Sequence, residues 1–339
     1  MSASSVALAT AATPPDHPVP DANSTGPDWA RAVTTSVPLL DRMYGVVIMT
    51  CATFVPLLLL LIAIVIARAA WPAIQMNGSE LLFGRRWDVA HGHFGALPAL
   101  VGTLLSSLLA LCIATPLALG VAVFTSELAP MRLRAPVAFL VDLLAAIPSV
   151  VYGLWGLFVL VPLLRSTVMP LLQHTVGAWP LFSGPAYGPS LLAAGLLLAI
   201  MILPYIASVA REVLAAVPRA QREAALALGA TRFEVIRDAV MPYARSGLIG
   251  GVMLGLGRAL GETMAVAMVI GNRHAIPTSL FDPAYTMSSL LANEFGEASS
   301  DAHLAALMAV AGLLLVITLV INMLARWLVS RVRRLDFAR

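Results

Sequence analysis

The sequence predicts an all-α, polytopic membrane protein with six transmembrane helices. The 339 residues are 59% hydrophobic and only 12% charged, and the mean hydropathy is +0.88. A soluble domain with this much apolar surface would aggregate. In addition, six apolar stretches each reach about the 20 residues that a helix needs to cross about 30 Å of hydrocarbon.

The six spans follow an N-terminal segment of different composition. Residues 1–40 are rich in Ala, Ser, Thr, Pro and Asp and lack apolar periodicity, which predicts a disordered tail. This tail has no positively charged region followed by an apolar core, so it does not read as a signal peptide. Pro116 and Pro148 fall inside the second and third spans, where each is expected to kink its helix. The spans are predicted at 44–70, 98–124, 136–164, 190–210, 246–270 and 304–329.

Arginine placement predicts the orientation of the spans. Fifteen of the 21 basic residues fall in segments on one side, five fall on the other and one lies within a span, and all are arginines. Because cytoplasmic segments collect positive charge, both termini and the loop 219–245 are predicted to be cytoplasmic. The chain then divides into the tail 1–40, a first helix with an outer loop at 41–95, a five-helix core at 96–330 and a basic tail at 331–339.

The most distinctive polar segment is Glu223–Pro242, EAALALGATRFEVIRDAVMP. Strong helix formers follow Glu223, and Gly229 is a natural helix stop. Thr231, with Glu234 three residues later, predicts a capping box at the start of a second helix, which proline should end. Two short helices joined at a glycine form a compact protrusion suited to docking in a groove of another protein. An ordinary loop without a partner is the alternative.

This segment resembles the coupling loop of ABC importer permeases, written E-A-A, three residues, G, nine residues, I, x, L-P. The isoleucine and leucine positions of that motif hold Ala239 and Met241 here. The resemblance implies a type I ABC importer permease fold and a contact with a cytoplasmic ATPase, but it says nothing about the substrate. The positions that match at the right spacing are Glu223, Ala224, Ala225, Gly229 and Pro242.

Two charged residues in the fifth span are the main candidates for a transport site, because ionisable groups in hydrocarbon are costly. Arg258 and Glu262 are four residues apart and are predicted to share one helix face. Arg258 lies about 18 Å into the span, at about 1.5 Å per residue, which is near mid-membrane. Six glycines between residues 247 and 261 predict close packing of this helix against a neighbour.

The chemistry of this pair favours an anion path. A guanidinium presents a fixed fork of donors that suits a tetrahedral oxyanion. Glu262 would hold Arg258 while the path is empty, and it would accept a hydrogen bond from a protonated oxygen, which favours hydrogen phosphate over sulfate. A structural ion pair that joins helices is the alternative. Asp142, about six residues into the third span, is a weaker candidate for the path, with local pairing near the headgroups as its alternative role.

Other side chains carry no predicted chemistry. His91 and His93 share an outer segment, but two ligands are too few for a metal site. Cys51 and Cys112 lie within apolar spans and predict neither a disulfide framework nor a metal. We expect no cofactor and no nucleic-acid partner. No Asp-rich, His-rich or Ser/His/Asp constellation appears on the spans, which argues against an enzyme.

Two further runs narrow the resemblance. LLAAIPSVVYGLWG at 143–156 and LGLGRALGETMAV at 254–266 are similar to the PstC-type permease of the bacterial phosphate-specific ABC importer. In that family the membrane-embedded arginine and glutamate of the second run are implicated in phosphate passage, and they match Arg258 and Glu262. The resemblance implies a permease core at 96–330 in the bacterial inner membrane. It also implies a PstA-type sister permease, two PstB-type ATPase subunits and an external PstS-type phosphate-binding protein.

The chain itself has no predicted ATP site. It lacks a Gly-rich phosphate loop followed by Lys and Ser or Thr, and it contains no lysine, so hydrolysis must come from a partner. The residues alone leave two alternatives open. One is a permease for another oxyanion, such as phosphonate, molybdate or sulfate. The other is a secondary transporter or channel that works alone, which would leave the Glu223–Gly229 pattern unexplained.

Overall fold

The computed structural model describes residues 39–177 and 179–336, without the side chains of 39–41, 176 and 332–336. The predicted tail 1–40 therefore lies almost entirely outside the described residues, as do the last three residues of the basic tail. The chain divides into two units, Met1–Leu60 and Leu61–Arg339. The described part of the first unit is one helical segment with exposed side chains, and every other described element belongs to the second unit.

Helices dominate the described chain. Its α-helices are α1 Leu39–Asn77, α2 Glu80–Phe83, α3 Leu97–Val123, α4 Met131–Ala146, α5 Ser149–Trp155, α6 Val161–Leu163, α7 Met169–Val176, α8 Leu191–Ala215, α9 Arg219–Ala227, α10 Arg232–Glu234, α11 Met241–Leu260, α12 Met264–Val269, α13 Met287–Glu294 and α14 Asp301–Asp336. Wider π-helical turns join or extend several of them, at Phe124–Leu128, Gly156–Leu160, Leu164–Val168 and Val235–Val240. Two 3-10 turns lie at Pro180–Phe182 and Phe295–Glu297. A short antiparallel hairpin pairs β1 Trp87–Asp88 with β2 His93–Phe94.

Six helical stretches of the described chain are long and apolar enough to cross a membrane, which confirms the predicted fold class. Each contains or overlaps one predicted span, and several run across a π-helical turn without interruption. The stretches are Arg42–Asn77, Leu97–Leu128, Ser149–Thr175, Leu191–Ala215, Arg232–Leu260 and Asp301–Arg331.

The two internal prolines have different effects. α3 continues through Pro116 to Val123. At Pro148 the prediction of one kinked helix over 136–164 is wrong, because α4 ends at Ala146 and the next two residues are extended, with ψ angles of 128° and 142°. A residue that precedes proline is pushed out of the helical region, which separates two helices here. The third span therefore starts at Ser149, and α4 precedes it.

The fifth span also differs from the prediction of one helix over 246–270. It begins earlier, because α10, the π-helical turn and α11 run continuously from Arg232 to Leu260. Pro242 was expected to end the helix, and that expectation is wrong. It lies just after the π-helical turn Val235–Val240, where the regular pattern of helix hydrogen bonds is already altered, and the helix continues past it. The helix instead ends before residues 261–263, and α12 follows that break.

Small residues let the central helices approach each other. α3 and α8 form the most extensive helix pair, and α8 is buried along most of its length. A stripe of small side chains, one every four residues, runs along the buried face of α3. It consists of Gly102, Ser106, Ala110, Ala114, Ala118 and Ala122. With no hydrophobic force between helices in lipid, such close van der Waals packing stabilises the bundle.

α11 packs on α8 in a similar way, which confirms the close packing predicted from its glycines. A Cβ at Gly251 would meet Val209 at 3.1 Å, and one at Gly255 would meet Ile206 at 2.6 Å. The glycines of α11 are therefore matched to branched side chains of α8. This packing fixes the helix that carries Arg258.

The acidic segment 272–303, which lies between the predicted fifth and sixth spans, is an ordinary outer loop by hydropathy, but the structure buries its central part. Phe281, Ala284, Met287 and Leu290 are fully buried, and α13 packs against α14 and α3. With only eight residues, α13 is too short to cross a membrane. The segment thus contributes to the protein core directly beside the break after α11.

Candidate functional site

The break between α11 and α12 forms the centre of the candidate site. Glu262 lies within it and is 5% exposed. Its Oε1 accepts a long hydrogen bond of 3.4 Å from the N–H of Ala265, in the first turn of α12. Its backbone carbonyl accepts a hydrogen bond of 2.7 Å from the hydroxyl of Ser288 on α13. The carboxylate is therefore held in the interior at a helix end, and not on a continuous helix as predicted.

Arg258, one turn earlier on α11, faces this carboxylate. Its Nη2 lies 3.6 Å from Oε2 of Glu262, which makes an ion pair but is too long for a strong hydrogen bond. The arginine side chain is 39% exposed, and among the described residues its guanidinium donates no hydrogen bond. The predicted contact between Arg258 and Glu262 is therefore present in the structure.

An aromatic ring from α8 supports the guanidinium on another side. The Cζ atom of Arg258 lies 5.2 Å from the ring centroid of Tyr205. A cation over a π face is attracted by about 0.5–1 kcal/mol at exposed sites. Tyr205 and Glu262 together position Arg258 without using its hydrogen-bond donors. Sequence reasoning missed Tyr205, since it lies 53 positions earlier on a separate helix.

Asp142 is placed elsewhere. It lies on α4, outside the third span, and both of its carboxylate oxygens accept hydrogen bonds of 3.3 Å from Nη2 of Arg211 on α8. Its side chain is 53% exposed. Within the described chain it forms no ion pair with Arg258, so the structure brings together only two of the three predicted path residues.

The Glu223–Pro242 segment forms the predicted protrusion. α9 ends before Gly229, whose φ of +84° is a left-handed conformation that favours glycine. Thr231 and Glu234 form the predicted capping box, with the Thr231 N–H donating to Oε2 of Glu234 at 2.7 Å. Glu223 and Ala224 are exposed and Ala225 packs inward.

Comparison with known families decides the class of protein. Residues 114–334 match the family described as binding-protein-dependent transport system inner membrane component. The chain belongs to this family of transport permeases. The permease class predicted from the Glu223–Pro242 segment is thereby confirmed.

Curated relatives of this permease carry a more specific name. Phosphate transport system permease protein PstC of Mesorhizobium japonicum is 45% identical over 87% of this chain and 91% of the relative. The protein of the same name from Haemophilus influenzae is 44% identical over 83% and 90%. That of Xylella fastidiosa is 41% identical over 87% and 92%. The PstC-type resemblance predicted from the runs at 143–156 and 254–266 is confirmed.

A solved structure supports the fold of the permease. A chain of the MetNI methionine ABC transporter, in a study of its inward facing conformations, superposes with a TM-score of 0.50. The match is 19% identical and covers 68% of this chain and 93% of that chain. The likeness confirms an ABC importer permease fold and carries nothing about substrate.

An ion pair that sequence reasoning missed anchors the protrusion of the permease. Arg222 on α9 forms a two-point contact with Glu127, in the π-helical turn after α3, at 2.7 and 3.2 Å. The same guanidinium donates to the carbonyl oxygen of Leu214 at 2.8 Å. Two-point arginine–carboxylate pairs fix orientation as well as distance. α9 is therefore attached to the turn after α3 and to α8. Arg222 and Glu127 are 95 positions apart, which explains why the sequence did not reveal the pair.

A second missed cluster surrounds Glu294, the last residue of α13. Its carboxylate accepts hydrogen bonds from Trp87 Nε1 at 2.7 Å and from the Nε2 atoms of His274 and His303 at 2.8 and 3.0 Å. The Glu294 side chain is 15% exposed. Burial raises the pKa of this carboxyl, but the three hydrogen bonds outweigh that effect and hold the pKa below its ordinary value.

Proposed function

We propose that this permease forms the translocation path for inorganic phosphate in an ATP-driven importer of the bacterial inner membrane. One observation carries the proposal: near the end of the fifth apolar span, a partly exposed guanidinium without hydrogen bonds among the described residues stands beside a carboxylate buried in the helix break. A charged group at such a position is a functional candidate by default. The relatives named phosphate transport system permease protein PstC support phosphate as the anion.

The proposed path uses the two side chains in different ways. Arg258 donates two parallel hydrogen bonds to phosphate oxygens, a geometry for which the planar guanidinium is suited. Glu262 holds the guanidinium while the path is empty. When hydrogen phosphate arrives, the carboxylate accepts a hydrogen bond from its protonated oxygen, which sulfate at neutral pH cannot donate. Asp142, paired with Arg211, is a weaker candidate and is proposed to act at the end of the path rather than at the central pair.

The proposed energy source is a pair of PstB-type ATPase subunits that dock on the Glu223–Pro242 protrusion, with both termini on the same cytoplasmic side. The continuous helix from Arg232 to Leu260 supports this mechanism, because a displacement of the protrusion moves Arg258 without an intervening hinge. A PstA-type sister permease completes the path, and a PstS-type binding protein delivers phosphate from outside. The anion carries more than one negative charge, so the sister permease is proposed to add positive groups of its own.

Uptake by the complete importer tests the proposal. The assay uses proteoliposomes that contain all four kinds of subunit and ATP. Arg258→Gln should reduce phosphate uptake at least about tenfold, because the neutral amide replaces two charged hydrogen bonds to phosphate with one weaker hydrogen bond. Arg258→Lys keeps the charge and should retain part of the activity. Unchanged uptake by Arg258→Gln at equal protein level would overturn the proposal.

Two further arms of the same assay address the alternative functions. If sulfate, molybdate or phosphonate competed for uptake more strongly than unlabelled phosphate does, the chain would be a permease for that oxyanion. Phosphate transport by the chain alone, without ATPase and binding protein, would identify a secondary transporter or channel. We expect neither result.

A further inference from the structure

A short helix connects the break at Glu262 to a distant cluster of polar side chains. α13 has eight residues, or a length of about 12 Å at about 1.5 Å per residue. Ser288 lies at one end and bonds to the backbone carbonyl of Glu262. Glu294 is the last residue at the other end and accepts three hydrogen bonds from other segments.

The end of α13 near Glu262 is firmly held. Ser288 is 4% exposed, and its hydroxyl also lies 3.3 Å from that of Thr286, the N-cap residue. The next backbone N–H, that of Met287, donates a hydrogen bond of 2.9 Å to Thr103 on α3. Hydrogen bonds in the protein interior therefore link this end of α13 both to α3 and to the backbone of Glu262.

The bond from Ser288 bears directly on the candidate path. The helix break frees the carbonyl of Glu262 from the regular ladder, and a buried carbonyl needs another partner. Among the described residues, the Ser288 hydroxyl is the partner that this carbonyl finds. Ser288 thus fixes the backbone of the residue whose carboxylate faces Arg258.

At the other end of α13, three segments donate hydrogen bonds to the carboxylate of Glu294. Trp87 comes from the β1–β2 hairpin, His274 from the segment after α12, and His303 from the first turn of α14. By the orientation proposed above, all three lie on the outer side of the membrane. Any movement of these outer segments pulls on Glu294 and hence on α13.

We propose that α13 is a rigid connector, and that Ser288 and Glu294 are positioning residues which set how Glu262 holds Arg258. An external protein that docks on the outer segments displaces Glu294, α13 transmits the displacement, and Ser288 moves the backbone of Glu262. The guanidinium is then released toward the anion. This inference rests on the proposed function and adds a route by which docking outside the membrane prepares the path.

Single substitutions in the complete importer test the inner end of the connector. Ser288→Ala should lower the maximal rate of ATP-driven phosphate uptake about fivefold, since one buried hydrogen bond is lost. Ser288→Thr retains the hydroxyl at a position that lines a groove of about 550 Å³, so uptake should recover. Ser289→Ala is the matched control, because Ser289 is equally buried on α13 but bonds only within its capping box.

The double variant Ser288→Ala/Glu294→Gln tests transmission along α13. If both residues act through one connector, each single variant loses about fivefold in uptake per inserted protein, and the double variant loses little more. Independent sites would multiply their losses to roughly 25-fold. Multiplied losses, an unchanged rate in either single variant, or a loss that disappears after correction for protein level would each overturn the inference.

Failure of the connector is distinguishable from failure of the proposed function. In the background of Glu262→Gln, Ser288→Ala should cause no additional loss, because the carboxylate that it positions is gone. If Arg258→Gln and Glu262→Gln themselves leave uptake unchanged, the phosphate path is wrong. If those variants lose uptake and Ser288→Ala does not, only the connector is wrong.

Discussion

Glu294 shows how one ionised side chain can organise several segments. Its ordinary carboxyl pKa of 4.5 is lowered in the fold, so its stabilising effect is fully present above pH 4.5 and is lost as the pH falls through the folded pKa, below 4.5. Glu294→Gln should lower the melting temperature of the purified permease by at least about 2 °C at pH 7. The difference should shrink below pH 4.5.

The exposed Glu297, three residues later, provides the control for this experiment. Glu297→Gln should leave the melting temperature within error at both pH values. Equal stability of the wild type and the Glu294→Gln variant at pH 7 would show that the three hydrogen bonds contribute nothing net.

At the scale of residues, sequence reasoning reached local pairs and missed distant ones. A four-residue spacing predicted the contact between Arg258 and Glu262, although the helix ends between them, and a three-residue spacing predicted the capping box at Thr231. Trp87 and Glu294 are 207 positions apart, and no local pattern relates them. Their pairing depends on the packing of four segments, which a single sequence does not specify.

At the scale of elements, the small-residue stripe of α3 makes a sharp prediction. A Cβ at Gly102 would collide with the carbonyl oxygen of Tyr285, whereas one at Gly120 of the same helix would meet nothing within 4 Å. Gly102→Ala should therefore destabilise the permease by about 1–3 kcal/mol through overpacking. Gly120→Ala should be neutral or slightly stabilising, because alanine is the better helix former.

Thermal unfolding in detergent and the amount of protein inserted in the membrane would measure this difference. A Gly102→Ala variant as stable as Gly120→Ala would mean that α3 and the segment before α13 separate easily. The two variants change the same number of atoms on the same helix, so the comparison isolates packing.

Hydropathy predicted the spans but not their interruptions. Length and composition are sufficient to find six apolar helices, and a four-residue repeat of small residues in α3 was also readable from the sequence. The break at Ile147 follows from a local rule, because proline restricts the residue before it. The break after Leu260 begins at Gly261, but five earlier glycines of the same run do not end the helix, so the sequence did not locate the break. The buried course of α13 depends on contacts with α3 and α14.

At the scale of the whole molecule, the exposed apolar side chains of the protrusion predict a partner surface. Leu228 is 89% exposed at the tip, and Phe233 is 69% exposed. Leu228→Asp cannot disturb the core, but it should abolish co-purification of the ATPase, because a charge would be buried without a partner. The protein should still insert in the membrane at normal levels.

Met131→Asp is the matched control for the protrusion. Met131, at the start of α4, is 85% exposed and lies on the same predicted side of the membrane, outside the Glu223–Pro242 segment. It should retain the ATPase. Retention of the ATPase by Leu228→Asp as well would show that docking does not use the tip.

The uninterrupted helix from Arg232 to Leu260 also has a thermodynamic consequence. Binding of the ATPase at one end and of an anion at the other must be linked reciprocally. If ATPase docking changes the affinity of Arg258 and Glu262 for an anion, the anion changes the affinity of the permease for the ATPase by the same factor. A bound anion would then change the affinity for the ATPase through this one helix.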